Sequence, residues 1–401
     1  MRKIIFIFFI GLILLAGCFR EKIPSVTRGD LFTINIGKLE DQIDLFNLEG
    51  ERSNRKTDIA MRDGLLYISN GNGGKIVRYN SYGDLLFMIY DEEQNPPPLT
   101  LRRNNGNQGI VTRWAYAYPL REPGIIAVDS RKHIYVEDRV PQGQDSFDTE
   151  NKAMLDRRVL HFDVDGRFVK YLGQEGVGGT PFPNIIGIYT SVNDELVVVC
   201  RLSTGWNTYW FDVSGNLLYL IRLGNDGIPI PPDRDLVVPF VNTLCVSPDE
   251  RKLYLKVDYY RDTYDASTNT RSGSEPDSSV IWIMDVETGN YIRTVEVPFY
   301  EFLVTRNNRK VTENMFYSML GVIEKGKIFL YFPVEGGYSI LILSSESQEQ
   351  RRGFIRVDHE ELQFNTFNLS SEGILSALLA TDGEVRMVWW RTDELTGDIS
   401  S

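Results

Sequence analysis

The sequence predicts an all-β protein, a β-propeller of six four-stranded blades. Two observations predict this fold. A strand–turn–strand phrase recurs along the 401 residues, and each copy is preceded by a second pair of strand-like apolar runs. Antiparallel four-stranded units that repeat over tens of residues are typical of propellers, in which the units are arranged around one axis.

The recurring phrase is clearest in HFDVDGRFVKYLG, residues 161–173, where two aspartates and a glycine separate two apolar runs. Asp or Asn at the start of a turn and Gly at its end are type I turn chemistry. Asp163 and Asp165 could instead begin a calcium loop, but the later oxygen ligands of such a loop are missing after them. The pattern favours a turn in every copy; further copies begin at Arg78, Trp210 and Ile283.

The six units span about 58–90, 122–173, 182–223, 241–297, 315–357 and 367–397. The last unit has only three clear strands, and residues 31–46 contain one or two strands that belong to no unit. An N-terminal strand that pairs with the C-terminal blade closes a propeller and removes its exposed edge. We therefore expect residues 31–46 to close the ring, although the length would also allow a seventh blade.

The N-terminus begins with two basic residues and a short apolar run, IIFIFFIGLILL, which is typical of an export signal and is shorter than a bilayer span of about 20 residues. The run ends in Leu15-Ala16-Gly17-Cys18. This motif resembles the lipobox of bacterial lipoproteins, in which the cysteine thiol receives a diacylglycerol. The resemblance implies that residues 1–17 are removed, that lipidated Cys18 begins an 18–30 tether, and that residues 31–401 form one extracytoplasmic domain. An ordinary secretory signal is the alternative.

The second unit carries a further resemblance. Residues 122–138, EPGIIAVDSRKHIYVED, followed by the hairpin from Arg158 to Gly166 and by GQEGVGGTPFP, resemble an NHL repeat. The resemblance is good over 122–223, fair over 58–90 and 241–297, and weak beyond 310. It implies a propeller fold more than a function. The pattern as a whole is also similar to NHL-like lipoproteins of spirochaetes.

Three insertions interrupt the repeat, at residues 91–121, 138–158 and 260–279. The third is polar, and we expect it to be a loop. The first combines arginines with alternating aromatic residues, which would share one face of a strand. Such a row is typical of a recognition surface, but the rings could equally pack beneath the insertion. The predicted binding surface is Arg102, Arg103, Arg113, Trp114, Tyr116 and Tyr118.

Charge and motifs restrict the function. Removal of Arg2 and Lys3 with the signal changes the net charge from 43 − 55 = −12 to 41 − 55 = −14, which argues against a nucleic-acid partner. The three histidines, His133, His161 and His359, lack metal-site spacing, and no hydrolase elbow, zinc motif or phosphate loop is present. We predict no cofactor, and we expect Cys200 and Cys245, which lie in apolar runs, to be buried free thiols or else one disulfide.

Three hypotheses follow from these observations. The first is a lipoprotein of the inner or outer membrane that binds or scaffolds an envelope protein. The second is a propeller enzyme, such as a lactonase-like hydrolase or a lyase, for which Asp129, Glu137, Asp138 and Asp258 are the acids to inspect. The third is a glycan or small-ligand binder that uses an aromatic platform at Trp114. The sequence favours the first.

Overall fold

The computed structural model describes residues 23–47, 50–103, 113–234, 236–306 and 309–397. Within these ranges the strands form six sheets of four to six strands and two separate hairpins. The predicted lipobox, with Cys18, and the centre of the first insertion lie outside the described residues. No helix in the described part of the chain is long and apolar enough to cross a bilayer.

The strands are named in chain order. The N-terminal strands are β1 (Ser25–Val26), β2 (Arg28–Ile36) and β3 (Gln42–Ile43). Blade 1 contains β4 (Thr57–Arg62), β5 (Leu65–Asn70), β6 (Lys75–Tyr79) and β7 (Leu85–Tyr90), followed by β8 (Arg102–Arg103) and β9 (Trp114–Ala117). Blade 2 contains β10 (Ile126–Val128), β11 (Ile134–Arg139), β14 (Arg157–Phe162), β15 (Phe168–Gly173) and β16 (Gly176–Val177), and between β11 and β14 lies a separate hairpin, β12 (Ser146–Asp148) and β13 (Ala153–Leu155). Blade 3 contains β17 (Ile185–Thr190), β18 (Leu196–Arg201), β19 (Gly205–Phe211) and β20 (Leu217–Gly224).

Blade 4 contains β21 (Val237–Val246), β22 (Lys252–Tyr264), β23 (Arg271–Asp285) and β24 (Tyr291–Glu296). The second separate hairpin, β25 (Tyr300–Arg306) and β26 (Arg309–Met315), follows it. Blade 5 contains β27 (Ser318–Ile323), β28 (Lys327–Val334), β29 (Gly337–Ser344) and β30 (Gln350–Arg356). Blade 6 contains β31 (Phe364–Leu369), β32 (Leu375–Ala380) and β33 (Glu384–Trp390). Short 3-10 turns span Asn225–Gly227, Glu324–Gly326 and Thr392–Thr396.

The ring closes as the sequence predicts. Strand β2 pairs antiparallel with β33, with Ile34 opposite Val385, and so supplies the fourth strand of blade 6. Six apolar clusters lie between successive blades, and the cluster between blades 6 and 1 includes Ile34, Ile59 and Met387. The closing strand therefore completes both a sheet and an inter-blade core, and the prediction of six blades is confirmed.

The turn interpretation of the recurring phrase is also confirmed. The Asp163 carboxylate accepts hydrogen bonds from the backbone N–H groups of Asp165 (3.0 Å) and Arg167 (2.8 Å). Gly166 has a φ of 81°, in the left-handed region that favours glycine. Asn80 and Asp212 make equivalent bonds in their own copies of the phrase. The acidic and amide side chains of these phrases therefore cap turns.

The third insertion differs from its prediction. Residues 260–279 are not a loop, because β22 and β23 continue their pairing from the blade through Tyr264 opposite Arg271. Tyr259, Tyr260, Thr263 and Tyr264 supply the aromatic and β-branched residues that favour strands. Most side chains of this extension are exposed to solvent and polar. Its composition therefore resembles that of a loop, although its backbone forms a regular hairpin.

Candidate functional site: the upper face of blades 1 and 2

The connections between strands are longer on one face of the ring than on the other. Antiparallel order places the turns between second and third strands, together with the connections between blades, on one face, which we call the upper face. The second and third insertions and the β25–β26 hairpin lie on it, and the first insertion leaves β7 and enters β10 there, although its strands β8 and β9 pair along the outer edge of blade 1. The lower face carries short turns such as 63–64, 80–84 and 163–167. Because binding residues concentrate on loops held by a rigid scaffold, the upper face is the candidate for function.

A groove of about 600 Å³ lies at the root of the first insertion. One wall is the segment Asp91–Gln94, directly after β7, and the other is Ala117–Arg121, directly after β9. The first wall is acidic, with Glu92 and Glu93 exposed to solvent. The second presents Tyr118 and Pro119. The groove therefore offers carboxylates opposite a wall that is apolar except for the exposed Arg121.

The predicted aromatic row adjoins this groove, but its rings are only half-exposed. Trp114 stacks on Phe87 with ring centroids 6.2 Å apart, and its indole N–H donates to the Asp165 carbonyl at 2.6 Å. Tyr116 accepts a hydrogen bond from Arg167, and Tyr118 packs against Phe162 and Phe168. The row thus joins blade 1 to blade 2, as the packing alternative proposed, and Tyr118 also lines the groove.

Two of the three predicted arginines are backbone neighbours, because the Arg102 N–H donates to the Arg113 carbonyl (3.3 Å) where β8 meets β9. Arg113 forms an ion pair with Asp84 (2.9 Å) on the lower side of blade 1. Arg102 is exposed, and the Arg103 side chain lies outside the described residues. Arg121, which the sequence analysis did not select, lines the groove instead. Its position could not be inferred without knowing where β9 ends.

A half-buried ion pair lies where blades 1, 2 and 3 meet. Lys56 donates to both Glu137 carboxylate oxygens (2.8 and 2.9 Å) and to the Ile185 carbonyl (2.8 Å), so that it joins blades 1, 2 and 3. The Glu137 side chain is fully buried, whereas the Lys56 side chain is 38% exposed. Arg157 approaches Glu137 at 3.7 Å and Glu122 at 3.4 Å, which extends the network outward across blade 2.

The other acids that the sequence singled out are also buried beside cations. Asp129 pairs with Arg131, Asp138 with Arg158, and Asp258 with Lys256. Among the described residues, no group of three His, Cys, Asp or Glu side chains could hold a metal ion. These four acids therefore serve as internal ion-pair partners in this structure rather than converging on one point.

Asp58 is an axial acid that sequence reasoning missed. It lies at the start of β4, and it accepts hydrogen bonds from the Ile126 N–H (3.1 Å) of blade 2 and from the Thr366 hydroxyl (3.4 Å) of blade 6. Burial raises the pKa of this carboxyl to about 6, and the nearby Glu137 charge acts in the same direction. In the sequence, Asp58 is only a single aspartate in an apolar strand. Its role becomes visible in the structure, where residues of blades 2 and 6 contact it.

A small cavity lies at the lower end of the axis. It is lined by the innermost strands of all six blades and encloses about 130 Å³. It is therefore smaller than the groove of about 600 Å³ at the root of the first insertion.

The cysteines and two of the histidines are structural. Cys200 and Cys245 are free and buried, as one of the two sequence alternatives proposed. His133 Nδ1 and His161 Nε2 lie 2.9 Å apart, and His161 stacks on Tyr135 with centroids 4.5 Å apart. Burial, followed by the charge of His133, lowers the pKa of His161 to about 3.

Because folding lowers the pKa of His161, we expect the protein to lose stability in acid. The unfolded chain binds a proton at His161 below about pH 6.5, whereas the folded protein does so only near pH 3. The free energy of unfolding should therefore fall by up to about 1.4 kcal/mol per pH unit below 6.5, or about 2 kcal/mol at pH 5. Urea titrations of the wild type and His161→Phe should show a flatter pH profile for the variant. Parallel profiles would contradict this assignment.

The fold and this face together define the class: a six-bladed β-propeller closed by its N-terminal strand, with an elaborated upper face. No protein-family model matches the chain, and no curated protein gives a significant match. The NHL and spirochaetal resemblances therefore remain predictions.

Solved propellers resemble the chain at low identity. The WD40 domain of Toxoplasma gondii coronin has 6% identity and a TM-score of 0.43, and the match covers 92% of this chain and 87% of that chain. The β-propeller domain of the Trilobed protease from Pyrococcus furiosus has 10% identity and a TM-score of 0.38, with 84% and 95% covered. The gluconolactonase XC5397 from Xanthomonas campestris has 12% identity and a TM-score of 0.39, with 93% and 100% covered. Similarities at these identities and TM-scores assign no activity to the chain.

Proposed function

We propose that the protein is a lipid-anchored, extracytoplasmic β-propeller that binds an envelope protein through the upper face of blades 1 and 2. The lipobox at Leu15–Cys18 supports the anchor. The observation that carries the binding role is the groove of about 600 Å³ between Asp91–Gln94 and Ala117–Arg121, on the face where the inserted chain accumulates.

The groove indicates the chemistry of the partner. Glu92 and Glu93 are exposed on one wall, and Tyr118, Pro119 and the buried Leu120 form the other. A protein segment that combines a basic residue with an apolar side chain would match both walls. Such pairing of an aromatic anchor with peripheral charge is usual in protein interfaces. The net charge of the mature chain, −14, would also favour the approach of a basic partner.

Catalysis is the competing function, and the arrangement of acids gives it less support. The four acids that the sequence proposed for an enzyme are each held by a cation. Asp58 has a carboxyl pKa in the range of a general acid, but the cavity at the lower end of the axis, about 130 Å³, is smaller than the groove of about 600 Å³. Binding at the wider groove is therefore the stronger proposal.

A photo-crosslinking amino acid at Ala117 tests the binding role in intact cells. Ala117 is exposed on the groove wall, so we expect one protein adduct from this position. The same group at Val192, which is exposed on the lower face, is the matched control and should give no adduct. The variant Glu93→Lys should reduce the Ala117 adduct at least fivefold, a reduction equivalent to about 1 kcal/mol. No adduct from Ala117, or the same adduct from both positions, would refute the proposal.

A further inference from the structure

The hairpin β25–β26 stands apart from the blades. It joins blade 4 to blade 5 on the upper face, and no other described strand pairs with it. Its root is fixed on blade 5, because Tyr300 stacks on Phe332 with ring centroids 4.3 Å apart and meets Tyr317 edge to face at 5.8 Å. The rest of the hairpin therefore projects from a firm base.

Its apolar side chains face solvent. Phe302, Leu303, Val311 and Met315 are all exposed, Leu303 to 62%. An isolated two-stranded hairpin is marginally stable in water, and it normally needs a third strand or an apolar surface against one face. The propeller supplies this surface at the root, and the four apolar side chains beyond it are exposed.

The predicted tether, residues 18–30, is in part a strand on the same blade. Strand β1 pairs with β30, with Ser25 opposite Phe354 and Val26 opposite Ile355. The first described residue, Ile23, is five residues from Cys18. Five extended residues reach at most about 18 Å. A bilayer that holds acyl chains on Cys18 must therefore lie close to the outer edge of blade 5.

We propose that β25–β26 inserts its apolar residues into the bilayer that holds the Cys18 lipid, a contact that rests on the proposed anchoring. The short tether brings the bilayer to blade 5. Phe302, Val311 and Met315 are exposed on one face of the hairpin and Leu303 on the other, so both faces carry apolar side chains that a membrane interface takes up. Contact with lipid would bury the apolar side chains that are exposed when the hairpin is in water.

This contact would also determine the orientation of the propeller relative to the membrane. Six blades divide the ring into steps of roughly 60°, so blade 2 lies opposite blade 5. A propeller held against the membrane at blade 5 directs the groove of blades 1 and 2 away from the lipid. The membrane contact and the protein-binding surface therefore occupy opposite sides of one ring.

Fluorescence quenching of the lipidated chain in vesicles tests the contact. The variant Leu303→Cys carries an environment-sensitive dye, and the vesicles of phosphatidylcholine and phosphatidylglycerol contain acyl-chain spin labels. Cys200 and Cys245 should not compete for the dye, because both are buried and burial raises the pKa of each thiol. The matched control is Phe147→Cys, since Phe147 is 58% exposed on the other two-stranded hairpin, β12–β13, of blade 2.

We expect at least threefold stronger quenching at position 303 than at position 147. The pair Phe302→Ser and Leu303→Ser should also lower the vesicle partition of the Cys18→Ser chain at least tenfold, whereas Phe147→Ser with Met154→Ser should leave it unchanged. Equal quenching at both positions in an anchored chain would overturn the hairpin contact alone. An unmodified Cys18 in the mature chain would instead overturn the anchoring proposal.

Discussion

Replacement of Lys56 by methionine is expected to destabilise the propeller by about 3 kcal/mol, because it leaves the Glu137 carboxylate buried without its ammonium partner. Arg157 at 3.7 Å and the Ile125 N–H at 3.2 Å offset only part of the lost interaction. Urea denaturation of Lys56→Met at pH 7 measures the effect directly.

Two further variants show whether the buried charge is the cause. The double variant Lys56→Met with Glu137→Gln should recover most of the lost stability, since the neutral amide can still accept from Ile125. Lys132→Met, which removes an ion pair with Asp63 (3.2 Å) between partly exposed groups, should cost less than about 1 kcal/mol. Similar losses for Lys56→Met and Lys132→Met would show that the Lys56–Glu137 pair contributes no more than a surface pair.

Replacement of Asp58 by asparagine is expected to stabilise the protein at pH 7.5, by at most about 3 kcal/mol because the side chain is only partly buried. The carboxyl pKa is raised from 3.8 to about 6 in the folded protein, so folding is favoured by the protonated form. Below pH 3.8 Asp58 is protonated in both the folded and the unfolded chain and does not reduce stability. As the pH rises from 3.8 through about 6, the unfolded chain loses this proton first, and the free energy of unfolding falls. Asparagine preserves an oxygen acceptor for the Ile126 N–H and avoids the buried charge.

The pH dependence separates this effect from a simple packing change. Thermal unfolding of Asp58→Asn should match that of the wild type near pH 3 and exceed it increasingly from pH 4 to pH 7. A gain that is the same at every pH would place the cause in packing, and a loss at pH 7.5 would contradict the raised pKa. A carboxyl retained at the axis despite such a cost would identify a position kept for function rather than for stability.

Local chemistry made much of the fold predictable. The Asp163 turn depends on a side chain two to four residues from its partners, so a window of five residues contains the whole signal. The closing strand was predictable because a unit with three strands leaves an unpaired edge, which the apolar residues of 31–46 can cover. The turn phrase and the unpaired edge together determine a six-bladed ring.

The candidate site depended on contacts that no local pattern contains. Lys56 and Glu137 are 81 residues apart, and Asp58 and Thr366 are 308 residues apart. The aromatic row illustrates a different limit. Trp114, Tyr116 and Tyr118 all contact blade 2, although β9 ends at Ala117. Only the neighbouring blade determines whether these rings meet solvent or pack.

The β25–β26 hairpin escaped prediction because its residues lie where the repeat is weakest. The segment 300–315 mixes apolar, basic and amide residues without a strong turn phrase, and it follows directly on a complete blade. The length of chain between blades 4 and 5 was the available signal, since connections between strands in compact domains are usually two to six residues.

Lipid attachment at Cys18 is the claim on which the proposed function and the membrane contact both depend, and mass spectrometry of the mature N-terminal peptide from fractionated cells tests it most directly. We predict a peptide that begins at Cys18 with acyl chains attached, found with membranes, and a Cys18→Ala chain that leaves the membrane fraction. An unmodified cysteine, or a Cys18→Ala chain that remains with membranes, would contradict it.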